Sequence, residues 1–226
     1  GVGASKKESI IAADIGLVWI ETLLSAESFG EFKPVSESDT FDLEYWSLEQ
    51  AKLLKIKSSQ LKGNIVAITG GGGTIGSAIA KEFSKQGAEV IILDKNEKSA
   101  KEVASFCGKN ALGMQCDLTD PYKVSITFKN IIENFGGLDI LISNAGAAWS
   151  GKISELKDSV LDESLKLNLL SHQFVAKEAV KIFKTQDLIN TEQTKMGGQL
   201  LFNISKQSVN PGNNFGAYGI AKAGLM

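Results

Sequence analysis

Four consecutive glycines, Gly70 to Gly73, stand between the apolar run Ile65-Val66-Ala67-Ile68 and a helical pattern that begins at Ile75. An apolar run of that length suits a strand buried on both faces. Gly76, Ile79, Ala80 and Phe83 recur at three- and four-residue steps, so they share one face of the helix. Gly87 closes it as a C-cap does, and Val90-Ile91-Ile92-Leu93 reads as a second buried strand ending at Asp94. Residues 64–94 are thus expected to form a strand-turn-helix-strand unit. Glycines at such a turn let the backbone bend sharply and approach an anion, which rests on free amides at the positive end of the helix dipole. Gly71, Gly73 and Gly76 fit the G-x-G-x-x-G spacing, and Asp94 is placed to hold both hydroxyls of a ribose. The unit points to dinucleotide binding.

Beyond Asp94 strands and helices keep alternating. A helix is expected over Glu97–Phe106, a third strand over Ala111–Cys116 and a helix from Asp120-Pro121, with Asp as N-cap and Pro at the first position. A fourth strand, Leu138–Ser143, delivers Ser143-Asn144-Ala145-Gly146. One long helix over Leu161–Phe183, a polar loop over Lys184–Gly198 and a fifth strand over Gln199–Ile204 complete the pattern. Five strands with intervening helices predict an α/β, Rossmann-type doubly wound parallel sheet, whose ligands bind beyond the carboxyl ends of the strands. Asp94, Asp117, Asn144 and Ser205 all fall at such ends.

Residues 1–60 break this rhythm and are read as a two-helix N-terminal extension. Ser5 can cap a helix through Ile10, Ile15, Val18 and Leu24, apolar over much of its girth and therefore expected to pack against something. Glu27–Thr40 reads as a loop, and a second helix is expected from about Asp42 to Ile56. The domain over 61–226 is expected to be incomplete, because the chain stops at Met226 inside a helical pattern.

At 43% hydrophobic residues, 22% charged residues and net charge −2, the chain can bury a substantial core and offers no electrostatic case for nucleic acid or anionic membrane as a partner. No apolar run is expected to reach the length of a membrane span, and the start lacks the charged-then-apolar layout expected of a signal peptide. Cys107 and Cys116 read as reduced residues of a cytoplasmic protein, too few for a structural zinc site, and no metal site is expected. The single histidine, His172, reads as a packing or surface residue rather than a ligand.

Tyr218 and Lys222 lie four apart, on one face of a helix, so an ammonium can sit beside a phenol, favour its phenolate and let it exchange a proton with an alcohol or carbonyl. Ser205 ends the fifth strand thirteen residues earlier. Together with Gly70 to Gly76, Asp117, Ser143-Asn144-Ala145-Gly146 and Asn168, these residues resemble the short-chain dehydrogenase/reductase family over about 61–226. The resemblance implies Tyr218 as acid/base, Lys222 on the nicotinamide ribose, Ser205 on the substrate oxygen and Asn168 holding a water in the proton relay. Gly70, Gly73, Thr74, Ile75 and Gly76 would bind phosphate. Asn144 and Ala145 would line the cofactor, and Asp117 with Leu118 would contact the adenine. Thr74 departs from the family's usual T-G-x-x-x-G-x-G, which places a glycine there. The charge of Asp94 favours NAD over NADP, although Lys95 is adjacent.

Ile10-Ile11-Ala12-Ala13-Asp14-Ile15 and the segment Phe41 to Lys52 more narrowly resemble the linker of bifunctional proteins that fuse a rhamnulose-1-phosphate aldolase to a short-chain dehydrogenase. That implies a cytoplasmic NAD-dependent oxidoreductase acting on a small alcohol or aldehyde, with lactaldehyde of rhamnose catabolism as the implied substrate. It also implies an upstream aldolase domain and a homo-oligomer paired through the long helix after Leu161 and the Tyr218 helix. The same residues could serve a sugar-alcohol or sugar-phosphate dehydrogenase, or a non-catalytic NAD-binding sensor or scaffold.

Overall fold

The computed structural model describes residues 6–44, 59–189 and 197–226. The chain divides into two units, Gly1–Lys62 and Gly63–Met226.

In the first unit, α1 spans Lys6–Phe29 and α2 spans Glu37–Glu44. The expected cap Ser5 and the rest of the expected second helix, 45–56, lie outside the described residues. The expected loop over 27–40 is shorter than the sequence suggested. The first helix runs on to Phe29, and the second starts early because Ser36 caps it: its hydroxyl accepts from the Asp39 amide at 3.1 Å and donates to the Asp39 carboxylate at 2.7 Å. Ile10, Ile15, Val18, Trp19 and Leu24 of α1 are all about half exposed or more. A second expectation needs correcting here. By length and composition alone, the helical stretch Glu8–Phe29 is apolar enough to cross a membrane, a test that core helices of soluble proteins and signal sequences also pass.

The second unit is a five-stranded parallel sheet flanked by helices. Its strands are β1 Ile65–Thr69, β2 Glu89–Asp94, β3 Leu112–Gln115, β4 Ile140–Ser143 and β5 Gln199–Phe202. Their order is β3-β2-β1-β4-β5, so the winding reverses between β1 and β4 and a crevice opens there at the carboxyl ends. Val66 pairs with Val90 on one side and Ile140 on the other, and β1, β2 and β4 are almost wholly buried apolar residues, as a two-sided sheet demands.

The connecting helices are α3 Thr74–Lys85, α4 Glu97–Cys107, α5 Pro121–Phe135, α6 Asp158–Leu165, α7 Ser171–Ile189 and α8 Gly216–Leu225. Asp120 caps α5 as its sequence predicts, accepting from the amides of Tyr122 and Lys123. On one side of the sheet Phe128, Ile131, Leu138, Leu141, Val175 and Ala179 form the core.

The expected single helix over 161–183 differs in two respects. It starts three residues earlier and extends to Ile189, taking up part of the expected polar loop, of which 190–196 lie outside the described residues. It is also interrupted by a π turn over Lys166–Leu170, where the Ser171 amide reaches back to the Lys166 carbonyl. Such turns insert one residue into an α-helix and recur at functional sites. Here the extra residue falls around Asn168.

Candidate active site

The turn after β1 is built on two steric requirements. Gly70 has φ +62°, and a Cβ there would stand 2.8 Å from the Ala145 Cα, so the β1 turn lies hard against the turn after β4. At Gly76 a Cβ would stand 2.3 Å from the Gly70 carbonyl oxygen, so helix α3 begins directly on that turn. Gly73 is the N-cap and supplies no side chain, leaving the first amides of α3 open.

Asp94 ends β2 beside this turn, with one carboxylate oxygen accepting from the Gly72 amide at 3.0 Å and the other from the Asn96 amide at 2.9 Å. Each oxygen keeps a lone pair, which is what recognition of a vicinal diol requires. Asp117, after β3, accepts from the Thr119 hydroxyl at 2.7 Å, and that bond first of all holds its carboxyl below the usual range. Lys95 reaches the same carboxylate at 3.7 Å.

The turn after β4 is tied to β1 and β5. Thr69 Oγ1 accepts from the amides of Asn144 and Ala145, the Asn144 side chain donates to the Thr69 carbonyl, and Asn203 donates to Asn144 Oδ1 at 2.8 Å. Asn168, fully buried in the π turn, accepts from the Ala147 amide at 3.0 Å and donates to the Ala147 carbonyl and the Ser164 hydroxyl. Its side chain therefore acts as a backbone latch behind the turn.

Ser205 caps a short 3₁₀ turn over Lys206–Ser208, where its hydroxyl oxygen accepts from the Gln207 amide at 3.3 Å. Its hydrogen stays available for another acceptor. Across from it α8 carries Tyr218 and Lys222. The lysine is 2% exposed, donates to the Asn203 carbonyl at 3.0 Å, and is held by burial well below its ordinary value, at about 8.

All these ends converge on one cleft of about 950 Å³. Gly70, Gly73, Thr74, Ile75 and Gly76 line it from the turn after β1, and Asp94, Asp117 and Leu118 from the next two strand ends. Asn144, Ala145, Ser205, Tyr218 and Lys222 line the remainder. Of the predicted site residues, Asn168 and the fingerprint's Gly71 are not on the wall of this cleft.

Three contributors escaped the sequence reading. Asn203 holds Asn144 with its side chain and Lys222 with its carbonyl; its place two residues before Ser205 at a strand end was an available signal. Asn214, at φ +65°, accepts from the Gly151 amide at 2.7 Å and ties the segment after Trp149 to the approach of α8. His172 lies wholly buried beneath Lys222, one turn beyond Asn168 on the long helix.

Residues 64–226 match the family model described as short chain dehydrogenase, and residues 1–53 match the one described as aldolase class II, second domain. The chain is 34% identical over 212 residues to the uncharacterized oxidoreductase YuxG of Bacillus subtilis (strain 168), which covers 90% of this chain and 29% of that protein. It is 29% identical to the 3-oxoacyl-[acyl-carrier-protein] reductase FabG of Vibrio cholerae, across 74% of this chain and 64% of the reductase. The chain thus spans less than two thirds of either relative. The crystal structure of NAD+-bound xylitol dehydrogenase superposes with TM-score 0.68 over 74% of this chain and 62% of that one, at 24% identity, and so shares the fold. With a parallel sheet of this order, a glycine turn at its switch point and a family match over most of its length, the chain belongs to the short-chain dehydrogenase family.

Proposed function

We propose that this chain is the cofactor-binding and catalytic part of an NAD-dependent oxidoreductase that moves hydride between nicotinamide and a small alcohol or aldehyde. The observation that carries the reading is the convergence of Ser205, Tyr218 and Lys222 on the cleft that also holds the glycine turn and Asp94. Bound NAD would supply the hydride acceptor. The residues of the chain do the rest. The open amides at the start of α3 take the pyrophosphate, and the spare lone pairs of Asp94 take the adenosine ribose, where a 2′-phosphate would meet its charge. Lys95, on the rim of the same cleft, pairs with Asp117 at 3.7 Å. Ser205 donates to the substrate oxygen. Tyr218, one helical turn before Lys222 on α8, removes the hydroxyl proton in the alcohol direction. Asn168 fixes Ala147, and a relay water at this residue would have to use what its side chain leaves free.

Lactaldehyde is the proposed substrate, its hydrate being the species that gives up hydride. The match of residues 1–53 to an aldolase domain and the similarity to the much longer YuxG support a fused upstream aldolase. In that setting the exposed apolar face of α1 is covered by upstream chain. A cytoplasmic location and a homo-oligomer formed through the α6–α7 helix and α8 belong to the same proposal. In full-length protein, lactaldehyde should drive a rise in reduced-nicotinamide absorbance, and Tyr218→Phe should lower that rate at least a hundredfold with NAD affinity kept. NAD binding without turnover on lactaldehyde, xylitol or other small alcohols would replace the enzyme by a sensor domain.

A further inference from the structure

His172 is the only histidine of the chain, is fully buried, and has no role in the scheme above. Its ring is held at both nitrogens. Nδ1 lies 2.6 Å from Ser143 Oγ at the end of β4, and Nε2 lies 3.4 Å from Lys222 Nζ on α8. An ammonium can only donate, so Nε2 must present its lone pair and the ring proton must sit on Nδ1, directed at Ser143. The tilted Phe202 ring, 6.2 Å away, closes the apolar side. Burial, followed by the charge of Lys222, keeps the imidazole neutral down to about pH 4, against a hydrogen bond to the Ala145 backbone that works the other way. No carboxylate is among the groups acting on either base.

The three hydrogens of Lys222 are thereby accounted for. One goes to the Asn203 carbonyl and one to His172, leaving a single donor for the cleft. Deep burial of an ammonium with one neutral partner would leave it prone to lose its proton and free to turn; a second fixed acceptor opposes both.

We propose that His172 is a positioning residue for Lys222: a neutral imidazole, locked by Ser143, takes one ammonium hydrogen and so fixes both the direction and the charge of the lysine facing the cofactor. The inference rests on the cofactor-facing role given to Lys222 above.

The test uses full-length protein carrying lysine labelled with carbon-13 at Cε, with the Lys222 resonance assigned by its loss in Lys222→Met. In His172→Leu, which keeps the volume and removes the acceptor, the midpoint of Lys222 titration should fall by about one pH unit. NAD affinity at pH 7 should fall about tenfold. His172→Gln, whose amide oxygen can accept, should recover most of both. Ser143→Ala, which unlocks the ring without emptying the core, should move the midpoint the same way by less, and it decides the matter should the leucine variant fail to fold. An unchanged midpoint in His172→Leu, or in Ser143→Ala if it stands alone, overturns the proposal, as does a glutamine variant as impaired as the leucine one. Failure of the wild-type protein to bind NAD would overturn the cofactor reading instead, while the titration would still report on the histidine–lysine contact.

Discussion

Two bases buried side by side, with no carboxylate among the described residues acting on them, make the floor of the cleft sensitive to acid. The folded state keeps His172 neutral to about pH 4, whereas the unfolded chain takes up a proton near pH 6.5. Unfolded molecules therefore bind more protons between those values, and stability held above pH 6.5 is lost as pH falls toward 4. The expected loss between pH 7 and pH 4.5 is about 2 to 3 kcal/mol. Denaturant titrations at both pH values should show it in the wild-type protein and a smaller loss in His172→Leu; equal losses would mean that the ring is not buried neutral. At the other end of the cleft, Asp94→Ala removes the proposed partner of the adenosine ribose. NAD should bind about tenfold more weakly and the preference against NADP should shrink, as two cofactor titrations would show. Tyr218 and Lys222 were legible from sequence because a spacing of four on a helix is local information. His172 reads from sequence only as a packing or surface residue because its partners lie 29 and 50 residues away, where no periodicity reaches.

Among the elements, two glycines separate a site requirement from a packing one. A Cβ at Gly76 would collide with the backbone of Gly70 and Gly71, so Gly76→Ala should displace the turn and abolish NAD binding in whatever protein folds. At Gly113 in β3 a Cβ would stand 2.4 Å from the Ala100 backbone, because α4 lies directly on the strand. Gly113→Ala should cost about 1 to 3 kcal/mol of stability, measured by denaturation, with NAD affinity per folded molecule unchanged. Strands β1, β2 and β4 were readable because buried parallel strands are continuous apolar runs, and α5 because Asp120-Pro121 announces its start. The ends of other helices were not. Gly30 and Pro34, which favour a loop over 27–40, mask the Ser36–Asp39 cap, and the polar segment after Phe183 reads as a loop although a solvated helix face has the same composition. The π turn left no sequence mark, since a one-residue shift in the buried stripe reads equally well as an ordinary wide face.

For the molecule as a whole, the chain joins a family-typical cofactor unit to an apolar helix, and less than a third of YuxG corresponds to both together. If upstream chain covers α1, Val18→Asp in full-length protein should lower its denaturation midpoint markedly, whereas an unchanged midpoint would place that face in water. Within the second unit, the longest helical run, 158–189, touches the site through Asn168 and His172. Because residues 166–170 hold one residue more than an α turn needs, closing them into regular α geometry without shortening the chain would rotate everything beyond them by about 100° relative to Ser164. The imidazole would then point away from the lysine while the start of the helix kept its place. That surplus residue works as a gauge setting the angle between a backbone latch and a charge holder, so a substitution that forced the turn into plain α geometry is expected to detune the site before it unfolds the protein.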